Sequence, residues 1–272
     1  MIHSHSVSIG SNGVLTYIGS REDEFAYRHL RTMFELGRAK YSFYSSRDKQ
    51  SMADLIADAD VVINMVGKYY DTKALEDTDK FPYLNYKVST SIHEANVEVP
   101  AAIAELCTEM QVDNLIHVSC AAANPNSASE WGRAKYEGEQ EVLKAYPWAT
   151  IVRPTQMFGN EDKLLNWFAN MAARFPVVPL VDGGHALTQP VWVDDVARTI
   201  NRIIDDPEKF EGRRVDCLVH RIIHIRNWQS LYMISPVRNP SCQIFPQRLS
   251  STERRYFSLR DHPSSLLIWS TC

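Results

Sequence analysis

Short apolar runs alternate with segments of helical periodicity from about residue 13 onwards. The run from Asp60 to Gly67 is nearly all apolar and closes with glycine, which is typical of a parallel strand buried on both faces. Similar runs predict four more strands, at Val14–Ile18, Lys40–Tyr44, Asn114–Ser119 and Thr150–Pro154.

Helical segments lie between these runs, at residues 52–57, 97–110, 131–145 and 162–174. Ser51 is the expected N-cap of the first helix, and Gly19 and Ser20 are expected to form the turn after the first strand. Strands that alternate with helices predict right-handed crossovers and a doubly wound parallel sheet. The predicted fold class is therefore α/β.

The alternating pattern ends near Val219. Residues 220–272 contain neither glycine nor alanine, and neither a strand period nor a helix period persists in them. They hold seven arginines, no lysine, and only Glu253 and Asp261 as acids. We interpret residues 1–219 as one α/β domain and residues 220–272 as an irregular basic tail, poorly folding or aberrant, that builds no regular element. A nucleic-acid-binding tail is the alternative, which the absence of lysine and the apolar content disfavour.

Charge and cysteine content narrow the function classes further. The net charge of -4 combines a positive tail with an acidic remainder. The five cysteines are scattered without a CxxC pair, and the His3/His5 and His220/His224 pairs lack the glutamate of a zinc-binding helix, so no metal site is predicted. The longest apolar run is too short to span a bilayer.

An ordered series of motifs extends over residues 14–215. Its members are Arg28–Arg31, Arg47–Ser51, Asp60–Lys68, Ile116–Ser119, Lys135–Glu139, Arg153–Asp162 and Gln189–Val196. The series resembles the extended and atypical short-chain dehydrogenase/reductases, and within them the NADPH-holding accessory subunits of mitochondrial complex I. The resemblance implies a Rossmann-like NAD(P)-binding fold.

The glycine-rich turn of that family is not in this sequence. Gly10, Gly13 and Gly19 do not reproduce the GxxGxxG spacing whose backbone N–H groups hold dinucleotide phosphates. By the resemblance, the chain begins at the family's second strand, so its first β–α unit is missing and residues 1–219 are a truncated NAD(P)-binding Rossmann-like domain. We therefore expect a sheet without its central strand, and NADPH binding that is weak or lost.

The catalytic residues of the family are also altered. Active members use Tyr-x-x-x-Lys on one helix, where the lysine lowers the pKa of the tyrosine and holds the nicotinamide ribose. Lys135 fixes the register, and Trp131 stands where the tyrosine belongs, with Ser119 as the remaining member of a degenerate site. Because an indole cannot titrate near neutral pH, we expect no oxidoreductase turnover.

The resemblance also implies a set of cofactor-binding residues. Arg21 would contact the ribose 2′-phosphate and Ser45 would lie near the adenine; the full set is Arg21, Ser45, Asn64, Val66, Gly67, Ser119, Lys135, Pro154 and Thr155. Alternatives remain open for four of them: a surface arginine at Arg21, a strand-ending turn at Gly67, a cap or turn at Ser119, and a solvated helix lysine at Lys135.

The expected function is that of a non-catalytic accessory subunit of complex I that holds NADPH for structural reasons. Its partners would be other complex I subunits on the matrix side of the inner mitochondrial membrane, with membrane contact only through the complex and no nucleic acid bound. Met1–Ser20 lacks an arginine-rich presequence, so this location rests on the resemblance alone. The alternative is an NAD(P)-dependent reductase or sugar-nucleotide epimerase with another proton donor.

Overall fold

The computed structural model describes residues 15–20, 34, 37–70, 91–159, 162–174, 184–218, 222–225 and 267–269. Seven strands form one sheet in the order β2-β1-β11-β3-β4-β5-β9, and every neighbouring pair is parallel. Their bounds are β1 Thr16–Ser20, β2 Ala39–Phe43, β3 Val61–Asn64, β4 Asn114–Val118, β5 Thr150–Pro154, β9 Arg214–Cys217 and β11 Leu267–Trp269. The predicted α/β class with a parallel sheet is confirmed.

Helices cover both faces of this sheet. They are α1 Lys49–Ile56, α2 Val99–Glu109, α3 Glu130–Ala145, α4 Lys163–Arg174 and α5 Val193–Asp205, with a π-helical turn at Glu94–Glu98 and a 3₁₀ turn at Pro207–Lys209. Successive strand residues point to opposite faces, so Val62 packs in one core with α1, α2 and α3, while Ile63 packs in another with α5. This two-sided burial explains why β3, β4 and β5 read as continuous apolar runs.

Four short strands and α4 form a smaller layer beside the main sheet. β6 Met157–Phe158 pairs with β8 Val191–Trp192, and β7 Leu187–Thr188 pairs with β10 Ile223–His224. Leu165 and Phe168 of α4 are buried in this layer against Phe158, Ile223 and Ile225. No helix in the described part of the chain is long and apolar enough to cross a membrane.

Two local predictions are wrong. Gly19 and Ser20 do not form a turn but continue β1, because both pair with β2. The N-cap of α1 is Asp48 rather than Ser51: the Asp48 carboxylate accepts a hydrogen bond from the Gln50 N–H at 3.0 Å. Ser51 lies three residues after the N-cap, inside the first turn of the helix, and donates its hydroxyl back to the Asp48 carbonyl at 2.9 Å.

The prediction that residues 220–272 build no regular element is wrong at β10 and β11. The prediction of a sheet without its central strand is also wrong, because β11 lies between β1 and β3. A three-residue strand carries too little periodicity to be found from sequence. The domain boundary at residue 219 stays a prediction, since most of the tail lies outside the described residues.

Candidate functional site

The candidate site lies at the carboxyl edge of the sheet, where ligands bind in open α/β folds. Asn64 ends β3 and is in register with His117 near the end of β4. Ser119 follows β4, and Pro154 ends the next strand, β5. The parallel arrangement therefore gathers side chains from three neighbouring strand ends at one edge.

Asn64 and His117 form a buried pair at this edge. The Asn64 side-chain oxygen accepts the Val66 N–H at 2.9 Å, so its amide nitrogen must donate to His117 Nδ1, 3.2 Å away. His117 Nδ1 is then an acceptor, and the neutral ring carries its proton on Nε2. Burial, with a smaller contribution from the charge of Lys135, lowers the pKa of His117 to about 3, which keeps the ring neutral.

The side chain of Lys135, on α3, extends to the same edge of the sheet and ends beside Gly67. The residue is only 6% exposed, so the alternative of a solvated helix lysine is wrong. A Cβ added at Gly67 would lie 2.7 Å from Lys135 Nζ and 3.1 Å from the side-chain oxygen of Asn96. Gly67 therefore leaves the space that the ammonium group occupies. This is a packing role in addition to that of a strand-ending turn. Burial lowers the pKa of Lys135, and the nearby Cys120 and Glu139 partly offset this.

Asn96 belongs to this site, and the sequence predictions missed it. It is fully buried in the π-helical turn before α2, and its amide nitrogen donates to the backbone carbonyls of Lys68 and Ile92 at 2.6 and 2.8 Å. These bonds tie the loop after β3 to the helix beside Lys135. The sequence offered one signal, a single asparagine in a segment that is otherwise apolar on its buried side. The structure adds a second, since π-helical turns often occur at functional sites.

A buried ion pair anchors α3 next to the site. The Glu139 carboxylate is fully buried and accepts two hydrogen bonds from the Arg153 guanidinium, at 2.9 and 2.5 Å. Such bidentate pairing gives both side chains one geometry. Because Glu139 lies one turn after Lys135, the pair also fixes the part of α3 that presents the lysine. This pairing was not predicted either.

Ser119 and Cys120 follow β4 at the same edge of the sheet. The Ser119 hydroxyl and His117 Nε2 are buried and make no hydrogen bond with any residue that the structure describes. The expectation of a cap or turn role for the Ser119 hydroxyl is thus not supported. Burial raises the pKa of Cys120, against the opposing effect of Lys135, so the thiol stays protonated at neutral pH.

Trp131 lies one helical turn before Lys135 on α3. It is partly buried and packs against Ile92, Val97 and Ala134. An indole N–H does not titrate in the range where a phenol exchanges a proton. At this position the structure therefore offers apolar packing and no acid or base.

The other predicted cofactor residues lie at the flanks of the edge. Val66 and Pro154 are buried, and the Thr155 hydroxyl donates to the Gln189 carbonyl at 2.5 Å. Ser45 follows β2, three strands away from β3, and its backbone N–H donates to the Ser51 hydroxyl at 3.1 Å. Arg21 lies outside the described residues. The structure thus brings together Asn64, Gly67, Ser119 and Lys135, but leaves Ser45 and Thr155 to either side.

The arrangement fits one end of a nicotinamide dinucleotide better than the other. Lys135 and Ser119 suit a ribose with two hydroxyls, since they combine a cation and a hydroxyl at one edge of the sheet. Phosphate groups need a glycine-rich turn that leads into a helix. A turn with GxxGxxG spacing does not occur in the sequence. In the described residues, no three or more His, Cys, Asp or Glu side chains form a group that could hold a metal ion.

The comparison with protein families decides the classification. The family described as RmlD substrate binding domain matches residues 45–229 of this chain. The chain belongs to this family. The predicted resemblance to the short-chain dehydrogenase/reductases is thereby confirmed. Trp131 and Lys135 of this chain both lie within the region that matches the RmlD family.

Relatives of the chain include subunits of complex I. It is 35% identical over 206 residues to NADH dehydrogenase [ubiquinone] 1 alpha subcomplex subunit 9, mitochondrial, of Mus musculus, with 75% of this chain and 50% of that protein covered. It is 32% identical over 213 residues to the NADH-ubiquinone oxidoreductase 40 kDa subunit, mitochondrial, of Neurospora crassa, with 75% and 52% covered. The chain spans about half the length of these curated relatives.

Solved structures confirm the fold. The crystal structure of DesIV, a dTDP-glucose 4,6-dehydratase from Streptomyces venezuelae with NAD bound, superposes with a TM-score of 0.66 at 16% identity. The match covers 85% of this chain and 77% of that one. At this low identity the likeness concerns the fold, so the RmlD-family chain here shares an architecture with that enzyme and no more.

Proposed function

We propose that this chain is a catalytically silent, dinucleotide-holding accessory subunit of mitochondrial complex I. Its relatives of similar sequence are subunits of that complex, which supports both the partners and a mitochondrial location. In this role the bound nucleotide stabilises the folded chain by mass action rather than reacting. The other complex I subunits are its partners, on the matrix side of the inner membrane.

The observation that carries the proposal is the pairing of a buried Lys135 with an apolar Trp131 one turn away. Lys135 holds a cationic group at the carboxyl edge of the sheet, where a nicotinamide ribose would be bound. Trp131 packs into an apolar cluster, so this position supplies no proton to accompany hydride transfer. The site keeps the group that binds and lacks the group that reacts.

The residues near Lys135 do not replace the missing acid. His117 is held neutral with a pKa of about 3, and Glu139 is engaged by Arg153. Cys120 is a buried thiol with a raised pKa. A nicotinamide cofactor would supply a hydride when bound, whereas this chain's own residues would bind its ribose through Lys135 and Ser119 and keep water away from the edge. NADPH is the proposed form of the cofactor, held weakly because the sequence contains no GxxGxxG turn.

Binding and turnover measurements on the purified chain test this proposal. We expect NADPH to bind with a Kd in the micromolar range or weaker, and Lys135→Met to weaken binding at least tenfold, about 1.4 kcal/mol. Lys144→Met is the matched control, because Lys144 lies on the same helix with its side chain 77% exposed. No oxidation or reduction of nicotinamide is expected with any variant. Turnover that Lys135→Ala abolishes would instead support the reductase alternative.

Association with the complex is tested separately in mitochondria. Tagged chain is expected to comigrate with complex I in native gels and to be recovered with its other subunits after mild detergent extraction. Lys135→Met is expected to reduce this recovery if bound nucleotide supports assembly. A tagged chain that never comigrates with complex I contradicts the proposed partners.

A further inference from the structure

The central strand of the sheet comes from the far end of the chain. β11 pairs in parallel with β1 on one side, where Leu267 lies opposite Tyr17, and with β3 on the other, where Leu267 lies opposite Val62. The family match ends at residue 229. The strand that joins the two halves of the sheet therefore lies outside the part of the chain that the family defines.

An empty slot at this position would be costly. β1 and β3 would face each other across two strand spacings, about 10 Å, with unpaired backbone N–H and C=O groups along both. Ile18 of β1 and Ile63 of β3 are almost completely buried with β11 in place, so an empty slot would either expose this core to water or leave those groups unpaired. Each buried, unpaired backbone group costs on the order of 1–3 kcal/mol.

The loss would also separate β1 and β2 from the rest of the sheet. In the described residues β1 pairs only with β2 and β11, so a sheet without β11 leaves a two-stranded ribbon. A two-stranded ribbon is at best marginally stable by itself. The extent of the whole sheet therefore depends on the occupant of this slot.

The tail sequence has two four-residue apolar runs that suit such a slot, at residues 231–234 and 266–269, and the strand pairing selects the second. Leu266, Leu267, Ile268 and Trp269 form a run of four apolar residues after a stretch rich in serine and arginine. A strand flanked on both sides and covered on both faces needs a continuous apolar run. The pairing is in register over three residues on each neighbour, Tyr17–Gly19 and Val62–Asn64, and ends level with Asn64 at the candidate site.

We propose that the slot between β1 and β3 is a strand-acceptor site and that residues 267–269 of the same chain are its occupant. The C-terminal segment thereby completes a sheet whose remaining strands all precede residue 226. Residues 226–266 connect β10 to β11, and a segment of this length reaches much farther than the width of the sheet. This assigns the tail a structural role rather than nucleic-acid binding.

Disulfide cross-linking of the full chain tests the occupant and its register. Tyr17→Cys with Leu267→Cys places two cysteines at directly opposite positions, within the separation that a disulfide requires. Tyr17→Cys with Trp269→Cys is the matched control, displaced by two residues or about 6.6 Å along the strand. We expect oxidation to cross-link the first pair within one chain at least tenfold more than the second, as measured by peptide mass spectrometry.

Hydrogen exchange of a proline variant tests whether the strand supports the sheet. Ile268→Pro removes a ladder N–H, and we expect exchange at Tyr17–Gly19 and Val62–Asn64 to accelerate at least a hundredfold, with β4 and β5 less affected. Ile222→Pro is the control in the same tail, at an exposed residue outside the strands. Ile268→Val keeps the N–H and is expected to behave as the unaltered chain does.

Three results would overturn the proposal. One is equal cross-linking of the two cysteine pairs, and another is unchanged protection of β1 and β3 in Ile268→Pro. The third is a cross-link found only between two chains in a dimer, which would assign the slot to the tail of a second copy. If Ile268→Pro fails to fold while Ile268→Val and Ile222→Pro fold normally, the central role of the strand is supported.

Discussion

The ammonium group of Lys135 and the backbone of Gly67 occupy adjoining space at the carboxyl edge of the sheet, such that a single methyl group at Gly67 would lie 2.7 Å from Lys135 Nζ. This contact joins the loop after β3 to α3. Lys135 is nearly inaccessible to solvent on a helix face that also buries the ion-paired Glu139. The missing side chain at Gly67 thus leaves the space that the buried cation fills.

Replacing Lys135 by methionine is expected to stabilise the chain at neutral pH. Burying a charged ammonium group costs free energy, and a methionine of similar length avoids this cost. We therefore expect the free energy of unfolding to increase by an amount on the order of 1–3 kcal/mol. Lys144→Met, at an exposed position of α3, is expected to change it by less than about 0.5 kcal/mol. Urea denaturation measures both, and a clear loss of stability in Lys135→Met would contradict the burial argument.

The same lysine gives the chain an alkaline pH dependence. Its pKa is lowered on folding, so between the folded value and the ordinary value near 10.5 the unfolded chain binds more protons. Stability therefore rises as pH increases through the folded pKa towards 10.5, where this contribution levels off. Lys135→Met is expected to remove that rise, which urea titrations between pH 7 and 10 can measure by comparison with Lys144→Met. An identical pH slope in the two variants would show that Lys135 is not the source.

Gly67→Ala is expected to destabilise the chain by about 1–3 kcal/mol, because the new methyl group meets Lys135 and Asn96. In a Lys135→Ala background the space is released, and the same substitution is expected to cost at least 0.5 kcal/mol less. A double-mutant cycle of unfolding free energies measures this coupling. Additive effects would mean that the two residues do not share the space.

His117 is expected to make the chain sensitive to acid. Its pKa is about 3 in the folded chain against 6.5 ordinarily, so the unfolded chain binds more protons between these values. Stability is therefore lost as pH falls from about 6.5 towards 3, by an amount on the order of 4–5 kcal/mol for this group. His117→Asn retains an acceptor for Asn64 and is expected to flatten the loss. If the acid limb is the same in both proteins, other groups control it.

The sequence predicted much of the main sheet because its strands are buried on both faces and read as apolar runs, as in Val61–Asn64 and Thr150–Pro154. It also placed Asn64, Gly67 and Ser119 at one edge, since the ends of neighbouring parallel strands must meet there, and the family resemblance added Lys135. Asn96, Glu139 and β11 were missed for a physical reason. Their roles depend on contacts between distant segments, which neither periodicity nor local propensity encodes.

Three cysteines are expected to be unreactive in the folded chain. Cys107, Cys120 and Cys217 are buried, and burial raises their pKa, to about 12 for Cys107 and about 11 for Cys217. Alkylation with iodoacetamide at pH 8, followed by peptide mass spectrometry, is expected to label them at least a hundredfold more slowly than in urea. Rapid labelling of Cys120 alone would show that the charge of Lys135 outweighs burial and that the site admits reagent.

Among the glycine-to-alanine substitutions near the site, Gly138→Ala is expected to reduce the stability of the fold most. A Cβ at Gly138 would overlap the backbone oxygen of Asn96, and two packed helices would have to separate to admit it. We expect a loss of 3 kcal/mol or more, or a chain that does not fold, which exceeds the usual cost of overpacking. Gly132→Ala is the matched control on the same helix, because its new methyl group meets mainly the Ser127 hydroxyl at 2.5 Å, and that side chain can rotate. Thermal unfolding compares the two, and equal losses would show that the approach of α3 to Asn96 is not as close as the backbone contact requires.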